Sequence, residues 1–99
     1  MSWTQIEREH ARLIILKALE EQPDGRLNSE MLRETLDAFA IKKTRDWVHE
    51  ELRWLADIGA VAVSDIGTVR VASITSKGQD HIARRVILEG VRKPSRPEA

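Results

Sequence analysis

The sequence predicts an α+β domain of about four helices and one β-hairpin. Two short amphipathic segments, residues 29–36 and 44–55, are followed by two β-prone runs around Gly67 and by a further helix start near residue 75. Helix, turn, helix and hairpin in this order form the layout of a winged helix-turn-helix, with the hairpin as the wing. That scaffold most often presents one helix to the major groove of DNA. We therefore take the scaffold as the first prediction and double-stranded DNA as the first partner to consider.

The composition is that of one ordinary globular domain. The 99 residues are 41% hydrophobic and 32% charged and contain no cysteine, so neither a disulfide framework nor a thiolate metal site is available. No apolar run approaches the roughly 18 to 20 residues that cross a bilayer, and the first residues lack the apolar stretch of a secretory signal. These features predict a cytoplasmic protein of a bacterial host that does not contact a membrane.

The net charge is zero, with sixteen basic and sixteen acidic side chains, which argues against indiscriminate binding of nucleic acid. The charges are nevertheless unevenly distributed. Residues 76–99 carry six basic and three acidic groups, a balance of +3, and Lys42, Lys43 and Arg45 form a second basic cluster between the two central helices. If DNA is the partner, these two regions are the expected phosphate contacts.

The first helix is predicted over residues 5–21, with a capping box of Thr4 and Glu7 at its start. Its apolar residues crowd after Ala11 into a band wider than one buried stripe, so a second surface has to cover part of it. A second copy of the chain could supply that cover. We therefore predict a homodimer through helix one, helix four and Trp3, which lies ahead of the predicted helix.

Residues 26–28 have the length of the small strand that pairs with the wing in many winged helices. The second helix is expected to start after Asn28 or Ser29, both good N-caps, and to run to about residue 40. Its predicted core stripe is Leu32, Leu36, Phe39 and Ala40. Ile41 is then expected to fill the core from the turn.

The third helix is predicted to begin at the Thr44 cap and to end at Gly59. Its predicted buried stripe is Val48, Leu52, Leu55 and Ile58, and its opposite face carries Arg45, Asp46, His49, Glu50 and Arg53. Trp47 and Trp54 are seven residues apart and flank the stripe. For Trp54 we favour partial burial against helix two or the wing. For Trp47, core packing and contact with a partner or a sugar-phosphate both stay open.

The hairpin is predicted from residues 61–64 and 68–74, connected through Gly67. Thr75 or Ser76 caps a fourth helix that is expected to reach about Leu88. Prolines among charges after Gly90 indicate a tail that is disordered or becomes ordered on contact. The predicted division is a winged-helix domain of residues 1–90 and a flexible basic tail of residues 91–99.

Residues 74–78, Ile-Thr-Ser-Lys-Gly, are similar to the Leu-Thr-x-x-Gly step that joins the wing to the next helix in ArsR, MarR and PadR regulators. Residues 11–19, 26–28, 53–55 and 90–94 resemble more closely a group of small uncharacterised ArsR-like proteins of Mu-like phages and prophages. This resemblance implies a phage or prophage transcriptional regulator that binds double-stranded DNA. It implies no catalytic residues.

The predicted nucleic-acid contacts are Lys42, Lys43, Thr44, Arg45, His49, Arg53 and Arg70. In this interpretation the third helix reads base edges and the lysines hold phosphates. Asp46 and Glu50 lie beside the basic residues of that helix, and Asp65 lies near the tip of the wing. Each acid that faces DNA needs a compensating contact. The alternative is therefore a non-enzymatic adaptor or assembly protein that binds a phage protein through the same scaffold.

No part of the sequence indicates catalysis. A nucleophile motif, a glycine-rich phosphate loop and a paired-carboxylate pattern are all lacking. His10, His49 and His81 are scattered and have no partner at metal-ligand spacing. We accordingly predict no enzyme activity, no cofactor and no metal.

Overall fold

A computed structural model describes residues 2–96 of the chain. Its elements are α1 (Trp3–Glu20), β1 (Arg26–Asn28), α2 (Ser29–Ala38), α3 (Arg45–Asp57), β2 (Val61–Ile66), β3 (Val69–Ile74) and α4 (Ser76–Ile82). The strands form an antiparallel sheet in the order β1-β3-β2, in which Ala72 pairs with Leu27 on one side and with Val63 on the other. This arrangement confirms the predicted winged helix-turn-helix, including the pairing of residues 26–28 with the wing.

The core is built around α1, which packs against α2, α3, α4 and the sheet. The residues that α1, α2 and α3 contribute with no exposed surface are Ala11, Ile15, Leu16, Leu19, Leu32, Leu36, Val48, Leu52 and Leu55. The wide apolar band of α1 is thus covered mainly by elements of the same subunit. In particular, α4 covers α1 within one chain.

The predicted starts of α2 and α3 are confirmed by their caps. Asn28 Oδ1 accepts the Met31 N–H at 2.8 Å, and Thr44 Oγ1 accepts the Trp47 N–H at 3.2 Å. The predicted start of α1 is wrong. Ser2 Oγ accepts the Gln5 N–H at 3.1 Å, so Ser2 is the cap and Thr4 already lies inside the first turn. Ser-x-x-Gln and Thr-x-x-Glu both fit the capping-box pattern, and the earlier of the two starts the helix.

Three helices end in the same Schellman motif, in which a residue with positive φ turns the chain and two N–H groups return to the last helical turn. In α3 that residue is Gly59, at φ 82°, and the Ala60 N–H donates to the Leu55 carbonyl at 2.9 Å. In α2 and α4 the same position is held by Ala40 at φ 64° and Arg84 at φ 63°. Of these three ends, only that of α3 carries the glycine that a sequence pattern can recognise.

The end of α2 corrects the predicted core. Because Ala40 turns the chain, Phe39 lies outward with 62% of its surface exposed, and Ala40 is exposed as well. Their assignment to the core stripe is wrong, whereas Leu32 and Leu36 are fully buried as predicted. Ile41 returns inward and is 9% exposed, which confirms that it fills the core from the turn.

The fourth helix is also shorter than predicted. It ends at Ile82 rather than near Leu88, because Arg84 adopts the left-handed conformation. Ile87 is consequently exposed, and Leu88 returns to the core. The return is fixed by His81, which is fully buried: its Nδ1 accepts the Leu88 N–H at 3.1 Å and its Nε2 donates to a carbonyl farther along the chain, 2.9 Å away.

Residues 91–94, which the sequence assigned to a flexible tail, lie against α1. Val91 and Pro94 are buried, and the Arg92 N–H donates to the Glu9 carbonyl at 3.1 Å. The last part of the expected tail, residues 97–99, lies outside the described residues. The described C-terminal segment therefore packs along one side of α1.

The junction between the wing and α4 explains the glycine of the Ile-Thr-Ser-Lys-Gly step. A Cβ atom at Gly78 would lie 2.4 Å from the Ala60 carbonyl oxygen, so only glycine lets α4 start this close to the end of α3. Thr75 caps the helix, because its Oγ1 accepts the Gly78 N–H at 3.2 Å and donates to the Gly59 carbonyl at 2.6 Å. The step thus anchors α4 to the turn at the end of α3.

Candidate nucleic-acid interface

The exposed charges of α3 separate into two stripes. The basic stripe is Arg45, His49 and Arg53, spaced by four residues, and the acidic stripe is Asp46, Glu50 and Asp57. Residues spaced by three or four positions share one side of a helix. Because Val48, Leu52 and Leu55 are buried, the orientation of α3 is fixed. The two stripes adjoin each other on its outer surface, since Arg53 is three residues from Glu50 and four from Asp57.

His49, in the middle of the basic stripe, faces the start of α2 and the wing. His49 Nε2 lies 3.0 Å from Ser29 Oγ, and the same oxygen accepts the Arg70 N–H at 3.0 Å. The Arg70 guanidinium also reaches the His49 carbonyl at 3.4 Å. We call these three residues the Ser29 joint, because they connect α2, α3 and the wing at one point.

Within the Ser29 joint the histidine is held rather than free. Burial, followed by the positive charges of Arg70 and Arg45, lowers the pKa of His49 below its ordinary value. A neutral ring can accept a hydrogen bond at Nε2, and the Ser29 hydroxyl is placed to donate it. His49 is therefore better suited to position the wing against α3 than to reach a base.

Two acids near this surface are paired with cations. Asp65 Oδ1 lies 3.2 Å from Arg70 Nε across the hairpin, and Glu30 Oε1 lies 2.6 Å from Arg33 Nη2 on α2. The hydrogen bond from Arg33 lowers the pKa of Glu30, and the charge of Arg45 lowers it further. The local excess of positive charge therefore rests mainly on the basic stripe itself.

The remaining predicted contacts lie at the N-terminal end of α3. Lys42 is exposed, whereas Lys43 Nζ lies 2.8 Å from Glu7 Oε1 and 5.3 Å from the centre of the Trp47 ring. The Thr44 hydroxyl is used as the helix cap. The seven predicted residues thus form two groups. One group is Arg45, His49 and Arg53 on α3 together with Arg70, which contacts His49 from the wing. The other, Lys42, Lys43 and Thr44, precedes α3 and contacts α1 through Lys43.

A buried polar cluster that was not predicted from the sequence lies on the far side of α3. Glu51 is 1% exposed and accepts hydrogen bonds from Arg12 Nε, at 2.7 Å, and from Arg8. The Arg12 guanidinium lies 3.7 Å from the centre of the Trp54 ring, and Arg8 lies 5.2 Å from that of Trp47. The sequence pattern indicates this cluster. Arg8 and Arg12 are four residues apart on α1, and on α3 Glu51 follows Trp47 by four residues and precedes Trp54 by three.

Two other properties bear on what this surface can do. Between residues 2 and 96 no group of three His, Cys, Asp or Glu side chains is placed to hold a metal ion. In the same part of the chain no helix has the length and apolar character to cross a bilayer.

Comparison with known proteins gives one relative and several structural neighbours, while no protein-family model matches. The chain is 35% identical over 91 residues to the uncharacterised protein gp26 of Escherichia phage Mu, covering 92% of this chain and 93% of that protein. Among solved structures it is similar to Sco3205, a MarR family transcriptional regulator from Streptomyces coelicolor in complex with DNA. The TM-score is 0.62 at 23% identity, over 82% of this chain and 52% of that one.

A second similar structure is a complex of hsRosR-S4, with a TM-score of 0.61 at 16% identity over 86% of this chain and 67% of that one. The chain therefore spans about half the length of Sco3205 and about two thirds of hsRosR-S4. At these identities the similarity shows a shared winged-helix fold.

Proposed function

From the premise that this chain belongs to the family of the phage Mu protein gp26, we propose that it is a non-enzymatic winged-helix protein that binds double-stranded DNA and regulates transcription in a phage or prophage. The observation that carries the proposal is the exposure of Arg45 and Arg53 on the outer surface of α3, the helix whose His49 carbonyl is contacted by Arg70 of the wing. Sco3205, a MarR family regulator solved in complex with DNA, supports it through the shared fold.

In this proposal α3 enters the major groove, and Arg45 and Arg53 donate to base edges, with guanine as the preferred partner of an arginine fork. Lys42 contacts a phosphate on one side of the groove. On the other side the Arg70 guanidinium is held by Asp65. The Ser29 joint holds the wing at a fixed distance from α3. One acid of the neighbouring stripe, Asp46 or Glu50, is compatible with DNA if it accepts from a cytosine amino group.

Selection of duplexes from a random library at low salt tests the proposal, followed by titration of the selected site at several salt concentrations. We expect enrichment of a defined sequence and an affinity that falls steeply with salt. Arg45→Ala should weaken binding by about 1 to 3 kcal/mol and relax the preference at one position. Arg85→Ala is the matched control, because Arg85 is exposed near the end of α4, outside the proposed surface. Failure to bind any duplex at low salt would overturn the proposal.

A palindromic site is the form of operator that a two-fold symmetric protein recognises. We propose that two copies of the chain place their α3 helices about one DNA turn, roughly 34 Å, apart. Footprinting of the selected site should then show two half-sites related by inverted symmetry.

The acidic stripe favours a second candidate, an adaptor that binds a basic surface of a phage protein. Asp46, Glu50 and Asp57 lie exposed along α3. If this is the function, a nuclease-treated pull-down recovers a phage protein with the wild type and loses it with Glu50→Lys. The Arg45→Ala variant should retain that partner, which separates the two candidates.

A further inference from the structure

One face of α1 is only partly covered by its own subunit. It consists of Trp3, Ile6, His10, Ile14 and Lys17, which follow one another at spacings of three and four, and we call it the α1 face. Trp3 is 85% exposed, and none of the other four is classed as buried. A stripe at this spacing whose apolar members are Trp3, Ile6 and Ile14 is typical of a helix that packs against another helix.

The α1 face forms the floor of an open groove. Two adjoining hollows of about 400 and 260 Å³ share His10, Ile14 and Phe39 and together extend along the helix. Phe39 lies on one side of the groove. Arg92 lies on the other side and donates from Nη1 to His10 Nε2 at 2.8 Å. From Trp3 to Lys17 the floor is about 21 Å long at the helical rise of 1.5 Å per residue. The groove is therefore as long as a helix of about fifteen residues.

The α1 face is complementary to itself when two copies run antiparallel with His10 on the two-fold axis. Each residue then faces the one whose number adds to 20: Trp3 faces Lys17, and Ile6 faces Ile14. The first pair brings an ammonium group to an indole ring, and the second brings two aliphatic side chains together.

Other registers lose these matches. With Ile14 on the axis, Trp3 would face position 25, which lies beyond the end of α1. With Ile6 on the axis, neither Ile14 nor Lys17 has a counterpart on the partner helix. Only the register centred on His10 uses all five residues of the α1 face.

We infer that the groove is occupied by α1 of a second copy of this chain, in an isologous dimer with His10 on its axis. This inference supplies the interface of the dimer proposed above and rests on that proposal only for the role of the dimer on DNA. In it α4 takes no part, whereas Phe39 and the segment of residues 92–95 form the walls. The short floor places this interface at the low end of interface sizes.

Cysteine cross-linking tests the register directly, because the chain contains no cysteine. His10→Cys should form an intermolecular disulfide on mild oxidation, since a residue on the axis meets its own copy. Trp3→Cys and Lys17→Cys should cross-link to each other when mixed, and much less each with itself. Ile66→Cys, 59% exposed at the hairpin, is the matched control and should stay monomeric. Equal cross-linking of all four variants, or none for His10→Cys, contradicts the proposed register.

Sedimentation equilibrium without DNA provides the second measurement. The wild type should dimerise, and Trp3→Ala should weaken the dimer at least about ten-fold, as expected when a tryptophan is removed from an interface. Because Trp3 is so exposed in the subunit, its truncation should leave the unfolding temperature unchanged at concentrations where both proteins are monomeric. Ile66→Ala should leave the dimer intact.

A wild type that stays monomeric at hundreds of micromolar, or a dimer indifferent to Trp3→Ala, overturns this inference. DNA binding is measured separately. A monomer that still selects a DNA sequence therefore overturns the dimer alone, and a dimer that binds no duplex overturns the DNA proposal alone.

Discussion

Arg12 and Glu51 form a buried ion pair that joins α1 to α3. Arg12 Nε donates to Glu51 Oε1 at 2.7 Å, and the two residues are 6% and 1% exposed. Arg12 also donates from Nη1 to the Gly90 carbonyl at 2.8 Å, and Arg8 is a second donor to the same carboxylate. Within residues 2–96 every buried side-chain nitrogen and oxygen has a partner. The pair therefore fixes α3 against α1 from the side opposite the wing.

Removing Glu51 should be strongly destabilising. Glu51→Ala leaves the buried Arg12 charge without its carboxylate, a situation that typically costs about 3 to 5 kcal/mol. Glu50→Ala is the matched control, since Glu50 is the exposed neighbour on the same helix and should change stability by less than about 0.5 kcal/mol. Urea denaturation followed by circular dichroism measures both. Similar small effects for the two variants would contradict the structural role given to Glu51.

The end of α2 is a place where one substitution should stabilise the protein. Ala40 has φ 64°, a conformation that costs an L-residue about 1 to 2 kcal/mol. Glycine avoids this cost but loses more backbone entropy on folding, which offsets part of the gain. Ala40→Gly should thus raise the free energy of unfolding by about 0.5 to 1 kcal/mol. Gly59→Ala is the reciprocal control at the same position of α3. There the new Cβ meets only Lys77 Cδ, at 3.5 Å, so the loss expected from that variant is conformational. If both variants shift the melting temperature in the same direction, positive φ does not favour glycine at this position.

The starts and ends of the helices show why part of the fold could be predicted from the sequence and part could not. Asn28 and Thr44 mark the starts of α2 and α3 because a cap is a property of one side chain. The ends at Ala40 and Arg84 carry no such mark, since the packing of later residues can force any residue into positive φ. Phe39 was placed in the core for that reason.

The candidate interface could also be predicted only in part from the sequence. The basic residues of α3 could be named from their spacing, whereas the Ser29 joint depends on how the wing folds back over the start of α2. The burial of Glu51 depended on matching residues of two helices, Arg12 and Glu51, that lie 39 positions apart in sequence. A search for two arginines on one helix that match a glutamate between two tryptophans on another would have found it.

The stability of the protein should depend on pH through His49. Its pKa is lowered in the folded state, so the unfolded chain binds more protons in the window below about pH 6.5. Stability contributed at this residue is complete above that pH and is lost as the pH falls toward the folded pKa. His49→Gln keeps a polar partner for Ser29 and cannot titrate. Chemical denaturation at pH 7 and pH 5 should show a larger loss for the wild type than for the variant.

If DNA binds at the basic stripe, the pH dependence of binding should have the opposite sign. A phosphate near His49 favours the protonated ring, so DNA binding takes up a proton and affinity rises as the pH falls. The effect should flatten in His49→Gln. Fluorescence anisotropy on a fixed duplex between pH 7.5 and 5.5 checks this; equal slopes for both proteins would place His49 outside the interface.

Releasing Arg70 should strengthen DNA binding. Asp65→Asn removes an acid from the wing and frees the guanidinium that it pairs with, so one further phosphate contact becomes available. The plot of log affinity against log salt should steepen by about 0.9. Asp80→Asn is the matched control, because Asp80 pairs with Arg85 at 3.3 Å near the end of α4. Both pairs are solvent-exposed, so neither variant should alter stability by more than about 1 kcal/mol.

The path of the chain after α4 is held by main-chain atoms. His81 binds the Leu88 N–H and the Arg92 carbonyl, Arg12 binds the Gly90 carbonyl, and the Arg92 N–H binds the Glu9 carbonyl. Such bonds are indifferent to which side chains the segment carries. Homologues can therefore diverge in the outward side chains of residues 83–93 while the backbone keeps its course, and a swap of His81 or Arg12 should be the rarer event in evolution.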